Sequence, residues 1–124
     1  MNFIQAPDAP VPGGHYSQAV VHNGLVFVSG ILPITPDGKK LTDATIGEQT
    51  AQILANLDAI LKASGSKREN VLKVSVFVSD ISAWSTVNQL YTDFFGDHRP
   101  ARSIVPVGPL HYGLAIELEA VATT

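Results

Sequence analysis

Arg102, Glu117 and Glu119 are the residues whose types and spacing best suit chemistry on a small molecule. Arg102 lies in His98-Arg99-Pro100-Ala101-Arg102-Ser103, between the aromatics Tyr91, Phe94 and Phe95 and the apolar Ile104, Val105 and Val107. Its guanidinium keeps its charge at any ordinary pH and offers a rigid fork of donors that matches a carboxylate. Glu117 and Glu119 stand two apart in an alternating segment, so both face the side opposite Leu114, Ile116 and Leu118. One of them suits a general base that activates water. A structural alternative stays open, in which Arg102 is a surface cation paired with Glu117 or Glu119. Tyr16, Ser29 and Asn88 are secondary candidates. Each has an equally good structural role: a packed phenol with a wet hydroxyl, a strand-end serine serving the backbone, and an asparagine that holds a loop.

Composition excludes several other chemistries. There is no cysteine, hence no disulfide, thiolate nucleophile or cysteine-ligated metal. His15, His22, His98 and His111 show no ligand spacing, and no metal site is expected. No glycine-rich phosphate loop occurs, and the serine before Gly30 lacks the preceding glycine of a nucleophile elbow. The net charge is −3 and no basic run is present, which disfavours nucleic-acid binding. No stretch reaches the roughly 18 apolar residues of a membrane span. The first residues lack the pattern of a secretory signal, so a cytoplasmic location is expected. With 45% hydrophobic and only 15% charged residues, the chain suggests a surface partly covered by other copies of itself.

The elements that must position these residues follow from pattern. Residues 1–14, rich in proline and glycine, read as an irregular lead-in. Residues 15–21 and 25–29 read as strands joined by a type I′ turn at Asn23-Gly24. Residues 30–44 read as a loop with at most a short edge strand. Thr45 and Glu48 have capping-box spacing, and Ile53, Leu54, Leu57, Ile60 and Leu61 continue with helical period until Gly65. Leu72, Val74, Val76 and Val78 mark a strand. Ser82 opens a second helix with Trp84, Val87, Leu90, Tyr91, Phe94 and Phe95 on one face, ended by Gly96. Segments 103–107 and 114–121 complete the set as strands. The expected order is ββ(β)αβαββ in one domain spanning residues 1–124. This is an α+β fold, a single mixed sheet with two helices on one face and a partner subunit over the other.

The motifs Gly14-His15-Tyr16-Ser17-Gln18-Ala19-Val20, Val26-Phe27-Val28-Ser29-Gly30, Val87-Asn88-Gln89-Leu90-Tyr91, Pro100-Ala101-Arg102-Ser103 and Ile116-Glu117-Leu118-Glu119-Ala120-Val121-Ala122 occur in this order. The ordered set resembles the RidA (YjgF) reactive intermediate deaminase family. The resemblance implies a chorismate-mutase-like fold, a homotrimer with clefts between subunits, and no cofactor. It implies hydrolysis of enamines and imines such as 2-aminoacrylate, 2-iminopropanoate and 2-iminobutanoate to 2-keto acids and ammonia. In that reading Arg102 grips the substrate carboxylate, and Glu117 positions and deprotonates water. Tyr16, Ser29 and Asn88 line the cleft, and Ile104, where many relatives carry cysteine, contributes through its backbone. The alternative is a non-catalytic module that binds small carboxylates such as 2-keto acids. An RNA-cleaving role is disfavoured by the acidic charge. Ile31 and the loop Gly108-Pro109-Leu110-His111-Tyr112-Gly113 depart from the family pattern and are expected to reshape the cleft.

Overall fold

A computed structural model describes all 124 residues. Six strands, β1 (Asn2–Ile4), β2 (Ala19–His22), β3 (Leu25–Ile31), β4 (Val71–Val78), β5 (Ala101–Pro106) and β6 (Ile116–Thr123), form one sheet in the order β1-β2-β3-β6-β4-β5. Only the β4–β5 pair is parallel, so the sheet is mixed. Helices α1 (Ile46–Ala63) and α2 (Trp84–Phe95) cover one face. This is the expected α+β architecture.

The β2–β3 turn forms because Asn23 and Gly24 both adopt positive φ, 51° and 77°, as a type I′ turn demands. Helix α1 starts where Thr45 Oγ1 accepts the Glu48 N–H at 3.1 Å. It stops where Gly65 turns left-handed at φ 74°, which lets Ser66 N–H reach Leu61 O at 2.8 Å. Between these ends, Ile53, Leu57 and Leu61 are fully buried against the inward row of the sheet, Val74, Val76, Val78, Ile116 and Leu118. Burying each such side chain contributes about 1.5–3 kcal/mol.

Several boundaries differ from the sequence expectation. The lead-in contains β1, whose Phe3 pairs with Val20 at the sheet edge; three residues are too few to show an alternating pattern. The third strand of the N-terminal group is therefore this one. Gly30 and Ile31 extend β3 beyond the expected end at residue 29, and the rest of the 30–44 loop holds only an isolated bridge between Ile34 and Lys40. In β4 a bulge between Val71 and Lys73 turns Leu72 outward, 48% exposed, and Val71 takes its place in the core. Ser82 does not open α2: it lies in a 3₁₀ turn, Ile81–Ala83, capped by Asp80, which accepts the Ser82 N–H at 2.9 Å. Helix α2 itself starts after Ala83 without a side-chain cap, with Trp84 43% exposed. No helix is long and apolar enough to cross a membrane.

Candidate functional site

Two constellations emerge, one on each face of the sheet. Arg102 follows Pro100, which prevents α2 from running on, and enters β5 beside β4. Its partner in the ladder is Val74, which is fully buried under the helices, so Arg102 projects to the helix side. There the guanidinium Nη1 donates to Asn88 Oδ1 at 2.8 Å and lies 4.7 Å from the Tyr91 ring centroid. Trp84 stands further off, at 6.0 Å. No carboxylate pairs with Arg102; the single ion pair of the chain joins Arg68 and Asp58. The alternative in which Glu117 or Glu119 neutralises Arg102 is thus absent. Arg102, Asn88, Tyr91, His98 and Arg99 border a cleft of about 410 Å³. The Tyr91 hydroxyl is buried without a partner, and burial pushes its pKa to about 12 against the opposing pull of Arg102. Ile104, two residues on, packs half-buried on the core.

Glu117 projects the other way. On β6 it pairs with Phe77 of β4, while its neighbours Ile116 and Leu118 are buried under the helices. The carboxylate lies against a bulge in β3. Val28 and Ile31 both point inward, leaving Ser29 and Gly30 to span the irregularity. A Cβ on residue 30 would come within 3.2 Å of the Glu117 carboxyl carbon, tighter than most real contacts, so glycine makes room for the acid. Desolvation raises the Glu117 pKa above its usual 4.5, the charge of Glu119 adds to the rise, and His111 partly offsets it. The Ser29 hydroxyl donates to Ser17 O at 2.6 Å, the backbone role read from sequence. Tyr16 is half exposed, and its hydroxyl accepts the Gly13 N–H at 3.3 Å. Tyr16, Ser29 and Gly30 border a cavity of about 450 Å³ that runs toward His111 and Tyr112.

The sequence candidates therefore divide. Tyr16 and Ser29 line a cavity whose rim at Gly30 abuts the Glu117 carboxylate, whereas Arg102 meets Asn88 with Ile104 nearby, and the sheet separates the groups within one chain. Sequence reasoning missed Gly30 and the part of Tyr91 beneath the guanidinium. The second had a signal: Asn88 and Tyr91 are three apart on a helix and so share a face. No three His, Asp or Glu side chains cluster as a metal would require.

The sequence profile of the family described as Endoribonuclease L-PSP matches residues 6–124. A RutC family protein of Aquifex aeolicus is 44% identical over 124 residues, covering 98% of this chain and 98% of the relative. A 2-iminobutanoate/2-iminopropanoate deaminase of Rattus norvegicus is 39% identical over 119 residues, covering 96% of this chain and 87% of the relative. The crystal structure of E. coli TdcF with bound serine superposes with a TM-score of 0.94 at 33% identity, covering 100% of this chain and 99% of that one.

Proposed function

Because this chain belongs to the Endoribonuclease L-PSP (RidA/YjgF) family, we propose that it hydrolyses the C=N bond of small 2-imino acids to 2-keto acids and ammonia. The observation that carries this reading is Arg102: a permanently charged fork, free of any carboxylate, oriented by Asn88 and Tyr91 at the edge of a cleft. A site built this way suits an anionic head group.

The enamine tautomer first becomes the protonated imine, R–C(=NH2+)–COO−. Glu117 takes a proton from water as the oxygen bonds to the imine carbon. Glu117 returns its proton to the carbinolamine nitrogen, and the C–N bond breaks as the hydroxyl gives up its proton and becomes C=O. The net change is protonated imine plus water to keto acid plus ammonium. The imine is already electrophilic, so placement and one base suffice. Placement can supply several kcal/mol of the barrier, and a positioned base about 10²–10⁴-fold. The raised pKa of Glu117 makes it a better proton acceptor when ionised.

Arg102 and Glu117 stand on opposite faces, so the complete site takes Arg102 and Asn88 from one copy and Tyr16, Ser29 and Glu117 from another, within a homotrimer. The helix-free face supports such association, since it leaves Phe27 and Val105 47% and 39% exposed. The test is complementation. Arg102→Ala and Glu117→Gln are each expected to be nearly inactive in ammonia release from enzymatically generated 2-iminopropanoate. Unfolded and refolded together in equal amounts, they should regain about a quarter of wild-type activity, the share of clefts that combine two intact halves. No recovery rejects the two-copy site, and equal rates for wild type and Arg102→Ala reject the reaction.

A second reading, a module that binds small carboxylates without turnover, draws on the serine bound to E. coli TdcF. It requires Arg102 but not Glu117. Keto-acid affinity intact in Glu117→Gln, with no imine turnover by wild type, identifies it. The imine reading implies a cytoplasmic location, beside the pyridoxal-phosphate enzymes that release such intermediates.

A further inference from the structure

We propose that the cavity lined by Tyr16, Ser29 and Gly30, whose Gly30 rim abuts the Glu117 carboxylate, is a side-chain pocket that makes this protein select imino acids with bulky apolar side chains over the three- and four-carbon ones. The inference rests on the imine-hydrolysis reading and specifies its substrate class. At about 450 Å³ the cavity falls within the range that holds drug-sized ligands, roughly 300–1,000 Å³, well beyond what a three-carbon imino acid fills. It opens from Tyr16, Ser29 and Gly30 and continues over Ile31, Leu32, Ile34 and Ile60, an aliphatic floor with no polar side chain among the four.

The far wall is built from two loops that brace each other. Tyr112 adopts φ 60° and ψ 18°, a left-handed conformation costly for a tyrosine. Three contacts maintain it. Thr42 Oγ1 donates to Tyr112 O at 3.0 Å, the His111 ring stacks on the phenol at 3.7 Å, and Lys40 Nζ lies 4.6 Å from its centroid. The hydroxyl reaches the opposite rim, where a Cβ on Gly13 would meet it at 3.7 Å. The loop carrying Ile34 is fixed in turn by Asn56, whose Nδ2 donates to Ile34 O at 2.8 Å. A pocket this preorganised binds a side chain without first ordering its own walls. Its two formal charges, Asp37 and Lys40, oppose each other, so no net field favours an acidic side chain.

The experiment compares imines made in situ by an amino-acid oxidase from alanine, leucine, phenylalanine and glutamate, trapped with semicarbazide. Wild type should show higher kcat/KM for the leucine and phenylalanine imines than for the alanine imine. Ile34→Trp, which fills the floor, should lower the phenylalanine-to-alanine ratio about tenfold or more. Tyr112→Gly, which suits the positive φ and so spares the fold, should lower the same ratio by removing the wall. A ratio unmoved by both variants overturns the proposal, as does highest efficiency with the glutamate imine. Calorimetry of phenylpyruvate against pyruvate separates this idea from the reaction itself. If wild type turns over no imine but prefers phenylpyruvate, and Ile34→Trp abolishes that preference, the pocket stands and the catalytic reading falls. Equal affinity for the two keto acids overturns the pocket.

Discussion

Arg102 donates to Asn88 Oδ1 across 2.8 Å, which ties the start of β5 to the middle of α2 and fixes the guanidinium over Tyr91. Loss of the fork and loss of its guide should read differently. Arg102→Lys replaces two parallel donors by a point charge, and kcat/KM should fall about 10–100-fold, the worth of one charge-assisted hydrogen bond. Asn88→Ala leaves the charge in place but unguided. It should raise KM several-fold with a smaller change in kcat, measured by steady-state kinetics on 2-iminobutanoate.

Glu117 predicts a pH signature. Its pKa lies above the usual 4.5, so the acid limb of kcat/KM should fall above that value. Glu119 contributes to the rise by repulsion, so Glu119→Gln should move the limb to lower pH. Stability follows the opposite sense from activity. Between the ordinary and the raised pKa the folded chain keeps a proton that the unfolded chain has lost. Stability therefore falls as pH rises through that window. Glu117→Gln should remove this part of the slope in thermal unfolding recorded at a series of pH values.

Tyr91 separates ring from hydroxyl. Its buried oxygen has no partner, a defect that ordinarily costs about 1–3 kcal/mol. Tyr91→Phe keeps the ring beneath Arg102 and should leave the melting temperature unchanged or raise it. Tyr91→Leu removes the cation–π face and should raise KM. The chain has three tyrosines, and an absorbance titration should lose the phenol that ionises at about 12 in Tyr91→Phe.

Asn56 is fully buried, accepts from Gln52 Nε2 at 3.0 Å and donates to Ile34 O at 2.8 Å. Asn56→Ala strands that carbonyl and should cost about 1–3 kcal/mol in urea denaturation. It should also loosen the 30–44 loop, seen as faster amide exchange there.

Local chemistry made much of this protein readable from its residues alone. Asn23-Gly24 announces a turn because two consecutive positive φ angles admit few other pairs. Thr45 and Gly65 bracket α1 by supplying what helix ends lack, and the apolar alternation of Ile116, Leu118 and Ala120 states which way Glu117 and Glu119 face. Arg102 is singled out by its charge two residues past a proline. Features that depend on distant partners were not readable. Phe3 is a strand residue only because Val20 offers it an edge. Leu72 faces outward only because the ladder slips at Val71. The same holds for the site. Each strand's own pattern states which residues share a face, but not which face of the next strand they join. That is set by the order β3-β6-β4-β5 and by the registers Val74–Arg102 and Phe77–Glu117. Hydrogen-bonded pairing across strands far apart in sequence placed Arg102 and Glu117 on opposite sides of one sheet, because a strand reverses its side chains at every residue and a single step of register exchanges the two faces.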